Sequence, residues 1–267
     1  MNEITARLDL ARQIAHEAGQ LTLKYFRKSD LVVEQKNDNT PVTIADREAE
    51  QLLRSRIESE FSDDGIIGEE FDERPGSSPF RWMLDPIDGT KSFVAGVPLF
   101  GTLVGITKGD EAVIGVIEIA ALGESVHAAK GHGAWYCSTG RPPVRARVSD
   151  VSDLSEALFC TTQVDTFDST DRRTIYEQLQ QGTRLTRTWG DCYGYILVAT
   201  GRAELMVDPQ LGIWDTVALQ PVIEEAGGIF TDFLGNATVF SGEAIASNGQ
   251  IHQSVLDIAS PRGGRIS

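Results

Sequence analysis

Cysteine is scarce in this chain of 267 residues, with only Cys137, Cys160 and Cys192. An odd number without C-x-x-C spacing argues against a disulfide framework or a structural zinc site, and fits a reducing cytoplasm. Basic residues are also in short supply: 24 Lys and Arg stand against 39 Asp and Glu, a formal charge of −15. Such a chain repels polyanions, so neither nucleic acid nor an anionic membrane surface is an expected partner. The N-terminal stretch MNEITARLDLARQIAHEAG carries charges throughout and lacks the apolar region of a signal peptide. The most apolar stretch, AVIGVIEIAAL, holds Glu118 and is too short to span a bilayer. His16, His127, His132 and His252 are scattered without metal-ligand spacing, and there is no internal repeat.

What is present is an ordinary globular mixture, 41% apolar and 24% charged. Its acidity by itself fits plain solubility, and it permits carboxylates that collect divalent cations. Apolar residues at three- and four-residue steps predict helices over 3–27 and 44–61. Strands are expected at GII before Gly68, at FRWMLDP, where Pro86 should stop the ladder, and at 99–107, 112–120 and 124–129. Gly and Asp turns separate the last three, as in an antiparallel meander. Beyond about 150, strands near 157–162, 184–188 and 203–207 alternate with helices near 170–181, 191–200 and 213–226. That alternation indicates an α/β fold, with helices on the faces of a parallel or mixed sheet. Residues 1–267 read as one unit with approximate halves 1–150 and 151–260 and a frayed tail, 261–267.

Three acidic clusters fall at strand ends or helix starts: Glu69-Glu70, the run from Trp82 to Thr90, and Trp214-Asp215. In the second, Asp85 ends an apolar strand, Asp88 lies a turn further on, and Gly89-Thr90 opens a helix. A glycine beside a helix N-terminus can cradle phosphate. Two carboxylates next to an anion cradle conflict unless a cation stands between them, and Mg²⁺ is the cation held by carboxylates together with substrate phosphate. Asp, Pro and Gly also favour simple turns, so this segment alone fits either role. Glu69 and Asp215 singly fit a cap or a solvated charge. Three such clusters together favour one shared site.

GEE, then DPIDGT, then WD before a helix of small and apolar residues, resembles the inositol monophosphatase family, over nearly the whole chain. The resemblance implies a layered αβαβα sandwich (an α+β arrangement of the fructose bisphosphatase type) and Mg²⁺-dependent hydrolysis of a small phosphorylated metabolite. It implies that Glu69, Asp85 and the Ile87 carbonyl bind one Mg²⁺, that Asp85, Asp88 and Asp215 bind a second, and that Glu69 is placed to touch a third. Gly89 and Thr90 would hold the phosphate. Thr90 and Asp46, in NTPVTIADREAE, match the family's pair that activates water, so catalytic roles fall to Asp46, Thr90 and Glu69. A homodimer is also implied.

DPIDGTKSFVAGVPLFGTLVGI and RTWGDCYGYILVATGRAELMVDP resemble the histidinol-phosphate phosphatase branch of that family. Histidinol phosphate carries an ammonium and an imidazole, which carboxylates and aromatic faces would receive. Substrate contacts are therefore expected from Asp88, Gly89, Thr90, Arg187, Gly190, Asp191, Cys192, Asp208 and Asp215. Asp191 also fits a helix cap, Asp208 a turn, Arg187 a salt bridge and Cys192 a small buried residue. Trp82, Trp189 and Trp214 read as core or pocket wall, and Lys36 as part of a flap. The alternatives are an inositol 1-phosphate or broad-range phosphatase and, from another class, a non-catalytic protein that binds a phosphometabolite.

Overall fold

The computed structural model describes residues 3–29, 31–35 and 41–260. Helix α1 (Glu3–Thr22) buries Leu10, Ala11, Ile14, Ala15 and Ala18 along one stripe. It stops short of the expected 27. The Thr22 hydroxyl bonds back to the Gly19 carbonyl at 2.8 Å, and the chain tightens into turns that end with Arg27 at φ 59°. Short strands β1 (Val33–Gln35) and β2 (Pro41–Thr43) pair antiparallel. Thr43 then caps helix α2 (Ile44–Glu60), which packs on α1. Lys36 and the tail 261–267 lie outside the described residues.

The first large sheet has 7 strands in chain order: β3 (Gly65–Gly68), β4 (Phe80–Asp88), β5 (Gly101–Lys108), β6 (Glu111–Ile119), β7 (Glu124–Ala129), β8 (Gly133–Ser138) and β9 (Val144–Arg145). The pair β3–β4 is parallel and the rest form the expected antiparallel meander. Pro86 does not stop β4. The register against β5 shifts between Asp85 and Asp88, so the proline sits in a bulge where no ladder N–H is required. The short helix α3 (Thr90–Val94) links β4 to β5.

The second large sheet is mixed, as the alternation predicted. Its strands are β10 (Leu158–Cys160), β11 (Leu185–Arg187), β12 (Leu205–Asp208), β13 (Ile229–Thr231) and β14 (Ala244–Ser247), in the order β11-β10-β12-β14-β13. The helix expected near 170–181 is two pieces, α4 (Asp165–Ser169) and α5 (Arg173–Gly182), separated by Asp171 at φ 57°, a conformation Asp tolerates better than most residues. Helices α6 (Asp191–Ala199), α7 (Ile213–Glu225) and α8 (His252–Ala259) complete the chain.

The apolar faces set the layers. Helices α1 and α2 cover one face of the first sheet around Trp82, Ile106 and Ile114. Between the sheets lie α6 and α7, which share a core with Ile117, Val126, Phe230 and Ala246. Helix α7 is apolar around most of its circumference because it has a sheet on either side. Helices α5 and α8 cover the far face of the second sheet around Phe159, Tyr176 and Val255. The result is the αβαβα sandwich.

Candidate active site

Parallel pairing of β3 with β4 sets Gly68 opposite Leu84, so the next residues, Glu69 and Asp85, lie side by side where that pairing ends. Three residues on, Asp88 closes the bulge. Asp215 arrives from the first turn of α7. Asp85, Asp88 and Asp215 each offer a carboxylate oxygen within 4.8 Å of the others. They line a cleft of about 270 Å³ with Glu69, Ile87, Gly89, Thr90 and Asp191, so residues far apart in sequence are brought together as expected.

Asp46 and Asp215 are built alike. Each is the third residue of its helix, and each uses one oxygen as a cap. Asp46 Oδ2 accepts from the Thr43 N–H at 2.8 Å and the Thr43 hydroxyl at 2.6 Å. Asp215 Oδ2 accepts from the Gly212 N–H at 2.8 Å. The other oxygen of each, Oδ1, is buried without a hydrogen-bond partner. An acceptor buried in this way is costly unless something positive meets it.

The electrostatics point the same way. Burial, then the charges of Glu69, Asp215 and Asp88, push the Asp85 carboxyl well above the usual carboxylate range. Burial and Asp215 raise Asp88, and burial and Glu69 raise Asp215. Burial is also the leading cause for Asp46. These acids cannot all carry charge at neutral pH without a counter-cation. A hard, oxygen-loving divalent cation fits the donor set, which consists of carboxylates with a nearby backbone carbonyl and no sulfur or imidazole.

Around this cluster, Gly89 takes φ 86°, and a Cβ there would stand 2.8 Å from Asp191 Oδ2. Glycine therefore lets the backbone turn and lets Asp191 close over it. The Thr90 hydroxyl donates to the Ile87 carbonyl at 3.0 Å and makes no bond to Asp46. The Ile87 N–H in turn donates to Asp85 Oδ1 at 2.9 Å. Asp191 opens α6 at φ 50°, its N–H on the Thr162 hydroxyl at 2.9 Å and its Oδ2 facing Ser92 at 3.4 Å. Gly190 lets the β10 end approach, since a Cβ there would lie 2.2 Å from Thr162 Cα. The Cys192 N–H donates to Asp88 Oδ2, tying α6 to the cluster. Burial and Asp88 push the Cys192 thiol well up, which makes it a poor nucleophile.

Gly190 and Cys192 themselves do not line the cleft, and two further expected contacts are placed elsewhere. Asp208 is buried, and its oxygens receive the Thr161 hydroxyl, the Thr162 N–H and hydroxyl, and the Tyr195 hydroxyl. It organises the β10 end and lines only the extension of the cleft beyond Thr162. Arg187 is exposed on β11, bonded to the Thr186 carbonyl at 2.8 Å and set over the Trp189 ring. Trp214 lines the cleft, whereas Trp82 is core and donates to Asp64 at 2.9 Å. Lys91, Ser92, Thr162 and Gln163 also line the cleft and were not anticipated. Lys91 Nζ reaches Gln163 Oε1 at 2.6 Å and bridges the ends of β4 and β10. Their signal was position, since sites gather just beyond the carboxyl ends of strands.

The sequence pattern of the inositol monophosphatase family matches residues 4–261. A protein named histidinol-phosphatase from Chlorobaculum parvum is 43% identical, over 91% of this chain and 92% of its own. Another of that name from Streptomyces coelicolor is 37% identical over 96% and 97%. Among solved structures, an IMPase from Thermotoga maritima superposes with a TM-score of 0.85 at 32% identity, covering 96% of this chain and 97% of its own. Fold and acidic cleft together are those of a phosphatase. The chain belongs to the inositol monophosphatase family.

Proposed function

We propose that this protein is a Mg²⁺-dependent phosphatase acting on histidinol phosphate, in histidine biosynthesis. One observation carries the choice of substrate: the Asp191 carboxylate faces the cleft beside Gly89, where burial, then Asp88 and Asp208, raise its pKa. A carboxylate held against other carboxylates gains from a cationic partner, and the ammonium of histidinol phosphate is one. Trp214 adds an aromatic wall suited to an imidazole. The names of the two bacterial relatives support the same reading.

Glu69, Asp85, Asp88, Asp215 and the Ile87 carbonyl are the residues that would hold the cations. When bound, Mg²⁺ supplies Lewis acidity and a lowered pKa for water. The protein supplies position. Gly89 and Thr90 offer backbone N–H groups to the phosphoryl oxygens. Asp46 is held by Thr43 at Oδ2 and keeps Oδ1 buried and unpartnered, and that oxygen would receive the proton of the attacking water. The P–O bond to the alcohol breaks, the water oxygen stays on phosphorus, and the alcohol oxygen takes a proton. No covalent intermediate on the protein is required.

The test is phosphate release at equal concentrations of histidinol phosphate and inositol 1-phosphate with added Mg²⁺. Histidinol phosphate should be turned over well ahead. Equal or inverted rates would overturn the substrate, and no turnover of any phosphomonoester would favour a silent binding protein. The homodimer that family membership implies is checked by sedimentation. No helix among the described residues is long and apolar enough to cross a membrane.

A further inference from the structure

Glu69 stands one residue past the end of β3, held to the sheet by its N–H on the Leu84 carbonyl at 3.1 Å. What fixes the chain beyond that point comes from α2. Glu50 is fully buried, and its Oε2 accepts from the Glu70 N–H at 2.8 Å. Its Oε1 accepts from Arg54 Nε at 2.7 Å. Arg54 forks, with Nη2 donating to the Phe71 carbonyl at 2.9 Å. On the other side of Glu69, a Cβ on Gly68 would lie 2.0 Å from Glu50 Oε1, so the Glu50 carboxylate occupies the space a side chain would take. Glu50 is also one helical turn beyond Asp46, on the same side of α2.

A buried ion pair contributes little net stability, because desolvation offsets its attraction. Fixed geometry is what this one provides. We propose that the Glu50–Arg54 pair is a positioning device for Glu69, locking residues 69–71 to the helix that carries Asp46 so that both acids keep a set relation to Asp85. The proposal rests on the phosphatase reading, in which Glu69 holds a cation. Partners that orient a metal ligand typically change metal affinity about 10–100-fold when removed.

The experiment is calorimetric titration of Mg²⁺ into the full chain, paired with the Mg²⁺ concentration for half-maximal turnover. Arg54→Lys keeps a cation beside Glu50 but cannot fork to the Phe71 carbonyl. Glu50→Gln keeps the shape and loses the charge. Arg56→Gln is the control: it breaks an ion pair from α2 to Glu17 on α1, away from residues 69–71. Both clamp variants should bind Mg²⁺ about tenfold or more weakly and need correspondingly more of it for turnover, while saturating Mg²⁺ restores most of kcat in Arg54→Lys. Arg56→Gln should bind as the wild type does, even if it melts earlier. Wild-type affinity in both clamp variants would overturn the proposal, as would equal weakening by Arg56→Gln. If Glu50→Gln fails to fold, the comparison of Arg54→Lys with Arg56→Gln decides. A wild-type chain that takes up no Mg²⁺ would remove the phosphatase reading itself, and the positioning role with it.

Discussion

Gly105 and Gly115 face each other across β5 and β6, and the backbone of α7 fills the room their side chains would need. A Cβ on Gly105 would stand 2.6 Å from the Ala218 nitrogen, and one on Gly115 would stand 2.0 Å from the Ala218 carbonyl oxygen. Asp215 is rooted in the first turn of that helix. How closely α7 lies on the sheet therefore sets how closely Asp215 approaches Asp85 and Asp88. Gly115→Ala should push the helix off and cost about 1–3 kcal/mol in urea denaturation, the scale of an overpacked core. Mg²⁺ affinity should fall with it. Unchanged affinity would mean that Asp215 is placed independently of the helix packing.

Asp88→Asn preserves the shape of the bulge and leaves an oxygen for the Cys192 N–H, while removing one of the crowded charges. Turnover should fall by at least about 100-fold, since even neighbours of metal ligands matter on the 10–100-fold scale. In EDTA the variant should melt higher than the wild type, because burial and Asp215 disfavour the Asp88 charge. Added Mg²⁺ should stabilise the wild type by roughly 2.7 kcal/mol at 100 times its Kd, and the variant much less. A thermal shift assay with and without the ion reads all of this. A variant that melts lower in EDTA and keeps the full Mg²⁺ shift would place the cation elsewhere.

Which parts of this arrangement could be read from the chain follows from how local their causes are. Asp85 and Asp215 announce themselves because each has a local marker, Pro86 after Asp85 and the start of a helix at Asp215. The end of α1 was not visible, because it depends on a Thr22 hydroxyl competing for the Gly19 carbonyl. The passage of β4 through Pro86 depends on a bulge that only the pairing with β5 creates. Nothing in IADREAEQLLRSRIESE sets Glu50 and Arg54 apart from the other charged residues of the helix. Residues 69–71, brought in from another part of the chain, are what bury Glu50. Asp208 was misleading for the same reason: the four donors that occupy it come from residues 161, 162 and 195.

Asp191→Asn tests the substrate without disturbing the fold. The residue holds φ 50°, and Asn tolerates that region as well as Asp does. Losing a charged hydrogen-bond partner costs about 1.5–3 kcal/mol, so kcat/KM for histidinol phosphate should drop by about ten- to a hundredfold. Inositol 1-phosphate, which carries no cation, should be affected far less. Steady-state rates on both substrates provide the comparison. An equal loss on both would make Asp191 a support for Gly89 and α6 rather than a selector of cationic alcohols.

Away from the cleft, His252 is buried between two hydroxyls, Nε2 at 3.0 Å from Thr231 Oγ1 and Nδ1 at 2.9 Å from Ser247 Oγ. Burial pushes its pKa down to about 4 from the ordinary histidine value of 6.5. In the unfolded chain the ring takes its proton near 6.5, whereas the folded chain holds out to about 4. The neutral ring therefore favours the folded state fully above pH 6.5, and that advantage is lost as the pH falls towards 4. The slope is at most ~1.4 kcal/mol per pH unit. A His252→Asn variant should be less stable than the wild type at pH 7.5, with the gap narrowing at pH 5 because the carboxylates are common to both proteins. Urea denaturation in EDTA at the two pH values measures it, and a gap of constant size would show that the ring charges as readily inside the fold as outside.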